Sequence, residues 1–383
     1  MAHLIATTVF GLESVVGREL GDLGYCDSSV ENGRVTFAAG PSGICRANLW
    51  LRSAERVLLK MGEFEARTFD ELFERTKAID WADWIPEDGA FPVEGKSVRS
   101  TLHSVPDCQA VVKKAVVESL ARRYGRKWFE ETGPEYRIEV ALLKDVATLT
   151  IDTSGAGLHK RGYRRQGGGA PLKETLAAGL VLLSRWRPEL PFLDPLCGSG
   201  TIPIEAAMIG MNMAPGLKRS FASEAWGNIP PRLWREARAE AMDAAHPDLR
   251  MEIEGSDADR GMVALSISNA EKAGLGRAVR FVARDVGETR RNDRYGCLVC
   301  NPPYGERLGE EREAEALYRE MGRVFRSLDT WSFYVLTASP GFERVFGRAS
   351  DRKRKLYNGR IECHFHQFFG PRPPRPTAVT PSQ

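Results

Sequence analysis

Apolar and polar residues take turns through Leu4-Ile5-Ala6-Thr7-Thr8-Val9 and halt at Gly11, the signature of a strand. Leu12, Val15, Val16, Leu20 and Leu23 then recur at helical spacing as far as Gly24. Short runs over 29–30 and 34–37 flank Asn32-Gly33, the strongest short hairpin signal. A helix over 44–51 and a strand over 57–61 complete a β-α-β-β-α-β order. That order predicts a small ferredoxin-like module at residues 1–64.

A second α+β unit follows at 65–155. The pattern predicts a helix over 69–78, a turn over 79–84 and a strand within 91–99. A further helix, capped by Asp107, turns Val111, Val112, Ala115, Val116 and Leu120 inward, and strands over 137–142 and 146–152 close the unit. That helix carries Lys113 and Lys114 and runs into Arg122, Arg123, Arg126 and Lys127. Residues 156–170 read as a linker. From Lys173 onward helices and strands alternate, which predicts an α/β domain with a mostly parallel sheet over 171–370. Its strands end at Asp194, Ser256, Val282 and Cys300. A long excursion over 211–249, with Trp226, Trp234 and a helix over 231–245, is either part of a substrate wall or surface packing. Residues 371–383 are proline-rich and predict an extended, disordered tail.

Composition narrows the setting. A formal charge of +3 gives no global basic field, so any nucleic-acid contact must be a local patch. Seven scattered cysteines argue for a reducing, cytoplasmic compartment over a disulfide framework. No secretory signal is visible, and no apolar run approaches the roughly 20 residues of a membrane span. Cys297-x-x-Cys300 lies on a strand, where positions three apart face opposite ways, and no second pair has zinc spacing, so no metal is expected. His364 and His366 share one face of a last strand and read as packing.

The chemistry concentrates after two strands. Cys300-Asn301-Pro302-Pro303-Tyr304 ends a buried strand in two prolines that forbid both helix and ladder. Residues just past a strand's carboxyl end line the ligand crevice of an open α/β sheet. There the Asn301 amide oxygen and the Pro302 carbonyl can accept from an exocyclic NH2, while Tyr304 stacks on the planar group. Upstream, Asp194-Pro195-Leu196-Cys197-Gly198-Ser199-Gly200-Thr201 sets an acid and a Gly-x-Gly turn before a helix that Thr201 is expected to cap. Pro203 stands where a dinucleotide fingerprint needs its third glycine, which weakens a nicotinamide or flavin reading. Asp257, at the second strand's end, suits two ribose hydroxyls. Between the units, Lys160, Arg161, Arg164 and Arg165 with Tyr163 fit either single-stranded nucleic acid or a solvated linker.

The Asp194 and Asn301 stretches together resemble the S-adenosylmethionine site and amine-binding loop of class I methyltransferases acting on amino groups. Adding residues 152–163 and Ala170-Pro171-Leu172-Lys173-Glu174-Thr175-Leu176-Ala177, the chain resembles the THUMP-domain RNA methyltransferases over nearly its whole length. It is similar to the amino-terminal half of the 23S rRNA guanine-N2 enzymes of the RlmL type, without their fused second methyltransferase domain. The resemblance implies a Rossmann-like domain with a mostly parallel seven-stranded sheet, preceded by a ferredoxin-like and THUMP RNA-binding region. It also implies S-adenosylmethionine as cofactor, held by Asp194, Cys197, Gly198, Gly200, Thr201, Asp257 and Asp285, with Lys173, Glu174 and Thr175 near its methionine end. Asp285 resembles the acid that accepts from the adenine amine, a turn residue being its plainer reading. The implied reaction is methylation of guanosine N2 in RNA, 23S rRNA first. The same tetrapeptide also serves adenine-N6 methylation of DNA or RNA and protein glutamine methylation, and a non-catalytic rRNA-folding factor is the alternative of another class.

Overall fold

A computed structural model describes residues 1–164, 172–304 and 310–374, so Arg165 and most of the expected tail lie outside the described residues. Two compact units share the chain. One comprises Met1–Gly162 and Ala214–Ala245, the other Tyr163–Met213 and His246 onward.

The amino-terminal unit contains β1 (Ala2–Thr8), α1 (Glu13–Asp22), β2 (Ser28–Glu31), β3 (Arg34–Ala39), α2 (Pro41–Trp50), β4 (Ala54–Glu65), α3 (Phe69–Lys77), β5 (Val93–Val98), α4 (Val105–Tyr124), β6 (Ile138–Leu143) and β7 (Val146–Asp152). The strands form one seven-stranded sheet in the order β2-β3-β1-β4-β7-β6-β5. The ferredoxin-like and THUMP portions are continuous because β4 pairs with β1 on one side and β7 on the other. Asn32-Gly33 makes the two-residue turn between β2 and β3. At α3 a capping box joins Thr68 and Glu71. Helix α4 begins earlier than expected: Ser104 is its N-cap, Pro106 falls in the first turn, and Asp107 is inside the helix.

The carboxy-terminal unit is built from α5 (Glu174–Leu183), β8 (Phe192–Asp194), α6 (Thr201–Gly210), β9 (Ile253–Asp257), α8 (Arg260–Ala273), β10 (Arg280–Ala283), β11 (Cys297–Cys300), α9 (Glu310–Arg326), β12 (Ser332–Thr337), α10 (Phe342–Phe346), β13 (Arg352–Asn358) and β14 (Ile361–Phe368), with α7 (Pro231–Asp243) intervening in the chain but belonging to the first unit. Its sheet runs β10-β9-β8-β11-β12-β14-β13. The pairs from β10 through β12 are parallel, and only β14 runs the other way. β11 is four buried residues, Cys297 to Cys300, because Tyr295 at φ +63° breaks the ladder before it and the prolines end it after.

The excursion over 211–249 is more than surface packing. Its middle completes the core of the amino-terminal unit. Trp226 stacks on Tyr136 with ring centroids 4.7 Å apart, and its indole N–H donates to the Glu135 carbonyl at 3.0 Å. Phe221 stacks on Trp234, and Arg46 of α2 pairs with Glu240 of α7 at 2.8 Å. Among the described residues no helix is long and apolar enough to cross a membrane.

Candidate active site

Four parallel strands end on one edge of the carboxy-terminal sheet, and each leaves a polar side chain at or just beyond its end: Asp194 after β8, Asp257 after β9, Asp285 after β10 and Asn301 after β11. Asp194 is 1% exposed. Burial pushes its carboxyl well above the usual carboxylate range, and the neighbouring Asp257 adds to the shift against the Leu196 N–H.

The turn after β8 is stitched to β9. The Cys197 N–H donates to the Ser256 carbonyl at 2.9 Å, and the Gly198 N–H donates to Asp257 Oδ2 at 2.9 Å. The Asp259 N–H takes the other Asp257 oxygen at 3.0 Å. Gly198 and Gly200 have φ of +51° and +80°, where a side chain is strained. At Gly200 a Cβ would lie 2.8 Å from the Ser266 Cβ and 2.9 Å from the Phe281 ring. At Gly198 nothing lies within 4 Å of that position, so the turn presents an open backbone face beside two carboxylates. This cradle fits S-adenosylmethionine, whose charge is positive and whose ribose carries two hydroxyls. Burial also raises the Cys197 thiol, which keeps it protonated and part of the wall.

Thr201 does not cap α6. Gly200, in the left-handed conformation, occupies that position, and Thr201 starts the helix. Its hydroxyl instead accepts from an Arg164 Nη at 2.6 Å. Arg164 also donates to the Leu172 carbonyl at 2.9 Å and lies 3.4 Å from the buried Glu174 carboxylate. Of the upstream trio, Glu174 thus reaches the glycine turn through Arg164, Thr175 is fully buried and Lys173 precedes α5. Asp285 is exposed and accepts the Gly287 N–H on Oδ1 at 2.8 Å.

After β11, Pro302 is buried while Asn301 and Tyr304 are half-buried. The Tyr304 hydroxyl donates to Asn301 Oδ1, and Asn358 Nδ2 donates to that hydroxyl at 3.3 Å. Burial raises the Tyr304 phenol, which remains protonated. The Pro303 carbonyl is held by the Tyr318 hydroxyl at 2.8 Å, itself 3.0 Å from Thr337 Oγ1. Among the described residues no hydrogen bond joins Asn301 or Asp285 to the glycine turn; they share the strand edge. Sequence reasoning missed Asn358, Tyr318 and the Arg164 clasp. Only Asn358-Gly359 carried a local signal, the same dipeptide as Asn32-Gly33, although here Asn358 is the last strand residue and Gly359-Arg360 make the turn.

The cations expected to meet RNA divide. Arg161 is 3% exposed and donates to the Leu158 and Arg52 carbonyls, which makes it a cross-link inside the amino-terminal unit. Arg164 is turned to Thr201 and Glu174 as above. Tyr163 is buried with its hydroxyl donating to Glu205 at 3.0 Å, so its ring is not offered to a base. Lys113 pairs with Glu131 and sits 3.5 Å from the Phe91 ring centroid. Arg126 pairs with Glu87, and Arg122 donates to the Lys77 carbonyl. Lys114, Arg123, Lys127 and Lys160 are exposed, as Arg122 and Arg126 are despite their partners, and Lys114 lies 5.4 Å from the Phe73 ring centroid. Cys297 and Cys300 are buried free thiols, and no group of three metal-ligating side chains exists among the described residues.

Known proteins match nearly the whole of this chain. Residues 3–58 match the RlmL ferredoxin-like domain, 66–152 the THUMP domain and 161–367 the RMKL-like methyltransferase domain. YpsC of Bacillus subtilis, named as a candidate RNA methyltransferase, is 54% identical over 368 residues, 96% of this chain and 95% of the relative. A predicted N6-adenine-specific DNA methylase from Listeria monocytogenes superposes with a TM-score of 0.92 at 53% identity, covering 97% of this chain and 96% of that one. SMU.472, a candidate methyltransferase solved with S-adenosylhomocysteine, has a TM-score of 0.92 at 46% identity, over 97% and 99% of the two chains. With an acid-lined glycine turn and an Asn-Pro-Pro-Tyr bend on one strand edge, and a THUMP domain before them, the chain belongs to the RMKL-like family of S-adenosylmethionine-dependent methyltransferases.

Proposed function

We propose that this protein methylates the exocyclic N2 amine of a guanosine in RNA, with 23S rRNA as substrate, in the cytoplasm. The observation that carries the reading is the Asn301 amide oxygen, held by the Tyr304 hydroxyl at the same strand edge as the acid-lined Gly198–Gly200 turn. S-adenosylmethionine supplies a methyl group already activated by the positive sulfur that bears it, so the chain's task is to bind, orient and exclude water. Asp257 has a backbone N–H on each oxygen and lone pairs left for the ribose hydroxyls. The buried Asp194 carboxylate gains most from a cationic ligand. Asp285 accepts from the adenine amine. Lys173, Glu174 and Thr175 act at the methionine end, Glu174 by way of Arg164 and Thr201.

The target amine is a poor nucleophile because its lone pair is delocalised into the ring. Acceptance of its two hydrogens by Asn301 Oδ1 and the Pro302 carbonyl favours the pyramidal form and aims the lone pair. Such positioning is worth up to ~7–11 kcal/mol. The base must first leave its stack at a cost of a few kcal/mol, of which stacking on Tyr304 offsets roughly 1–3 kcal/mol. A THUMP domain and a relative named for RNA methylation favour RNA over a protein substrate. Lys114, Arg123, Lys127 and Lys160 are the cations left to meet phosphate.

Adenine N6 is the second reading, favoured by the name of the Listeria relative and by a tetrapeptide that suits either amine. Mass spectrometry of nucleosides from rRNA and tRNA of a deletion strain and its parent decides. Loss of N2-methylguanosine from 23S rRNA is expected. Loss of N6-methyladenosine would select the second reading, and unchanged RNA would overturn both RNA readings.

A further inference from the structure

Asn358 ends β13, and β13 runs parallel to β12 and β11 by way of the antiparallel β14. Topology therefore puts the tip of this hairpin on the same sheet edge as the bend after β11. There its amide meets Tyr304: Asn358 Nδ2 donates to the hydroxyl oxygen at 3.3 Å, and the hydroxyl donates onward to Asn301 Oδ1.

The chain of donors has a direction, and the direction carries information. A primary amide can turn over and present NH2 where it had presented oxygen, at little cost in shape. A phenol has one proton. In the arrangement seen, Asn358 presents its NH2 to the Tyr304 oxygen, so the phenol proton goes to Asn301, which faces Tyr304 with its oxygen. The Cys363 thiol beside Tyr304 does not reverse this, since its hydrogen is engaged by the Ile361 carbonyl at 3.6 Å and sulfur is a weaker acceptor than an amide oxygen.

We propose that Asn358 is a positioning residue that sets which end of the Asn301 amide faces the target amine, acting through the Tyr304 hydroxyl. The inference rests on the amine-methylating reading of the site and assigns specificity to a hairpin outside the family's Asn-Pro-Pro-Tyr stretch. A side chain that only filled space would serve equally well as alanine or aspartate. A polarity device would not. An aspartate at 358 accepts from Tyr304, draws its proton away from Asn301 and lets that amide turn its NH2 toward the phenol oxygen.

The test measures single-turnover methylation of RNA from a strain lacking the enzyme, alongside calorimetric affinity for S-adenosylhomocysteine. Asn358→Ala should slow the step about tenfold, the worth of one hydrogen bond. Asn358→Asp should slow it about a hundredfold, the effect of a misdirected polar group at the reacting centre. Cofactor affinity should not move. In a Tyr304→Phe background the two substitutions should become equal. Equal rates for Ala and Asp with tyrosine present, a persisting difference without it, or a parallel fall in cofactor affinity would each overturn the inference. If the unaltered protein methylates no RNA, the guanosine reading fails by itself. The side-chain amide resonances of Asn301 in 15N-labelled protein then decide: they move in Asn358→Asp if the relay exists and stay in place if it does not.

Discussion

Both units carry a seven-stranded sheet, yet only one gathers polar side chains at an edge. In the amino-terminal sheet neighbouring strands run antiparallel except β5 and β6, so strand ends alternate between edges. Its cations lie along α4 and in the loops around it, and several are engaged by carbonyls or carboxylates. In the carboxy-terminal sheet the parallel run from β10 to β12 brings three acids and an asparagine to the same side. A parallel sheet concentrates chemistry; an antiparallel one distributes contact.

The largest effect that would separate the two belongs to Asn301. Asn301→Ala should cut methyl transfer by about 10²–10³-fold or more, while calorimetry finds cofactor affinity nearly intact. Equal loss of both would mean the strand edge is one undivided site. Next comes Asp194→Asn, which should weaken S-adenosylhomocysteine binding about tenfold or more, the worth of a hydrogen bond to a charged group. The same change should stabilise the ligand-free protein. The raised carboxyl contributes fully to stability only below the ordinary carboxylate value and loses that contribution as pH rises through its own. Thermal melts should therefore show the variant's advantage growing with pH and vanishing in acid. The smallest effect lies in the other unit. Reversing Lys127 and Lys160 together to Glu should weaken RNA binding a few-fold and flatten its salt dependence by about two units of slope, leaving cofactor affinity untouched. Loss of cofactor binding there would erase the division of labour.

The strand edge was legible because its signals are local: an apolar run, an acid, a Gly-x-Gly turn, and prolines that cannot continue a ladder. Thr201 misled because a left-handed Gly200 outbids a threonine for the capping position. Arg161, Tyr163 and Arg164 misled for a different reason. A basic glycine-rich stretch looks solvated until its partners are known, and the Arg52 carbonyl and Glu205 carboxylate that engage two of them lie far away in the chain. Trp226 and Trp234 announced burial without saying in which core. Asn358-Gly359 announced a turn, but the pairing order that carries it to Tyr304 depends on β14 inserting between β12 and β13, which no window of residues reveals.

The path of the backbone has a consequence for how such a protein can be made and remade. It leaves the first unit after Gly162, returns at Ala214 and departs again after Ala245. During synthesis the amino-terminal sheet emerges well before Phe221, Trp226, Ile229 and Trp234, which line its interior. Part of its interior is supplied by that later segment, encoded between two stretches of its neighbour. A cut at residue 162 would part the amino-terminal sheet from Phe221, Trp226, Ile229 and Trp234, which fill part of its interior.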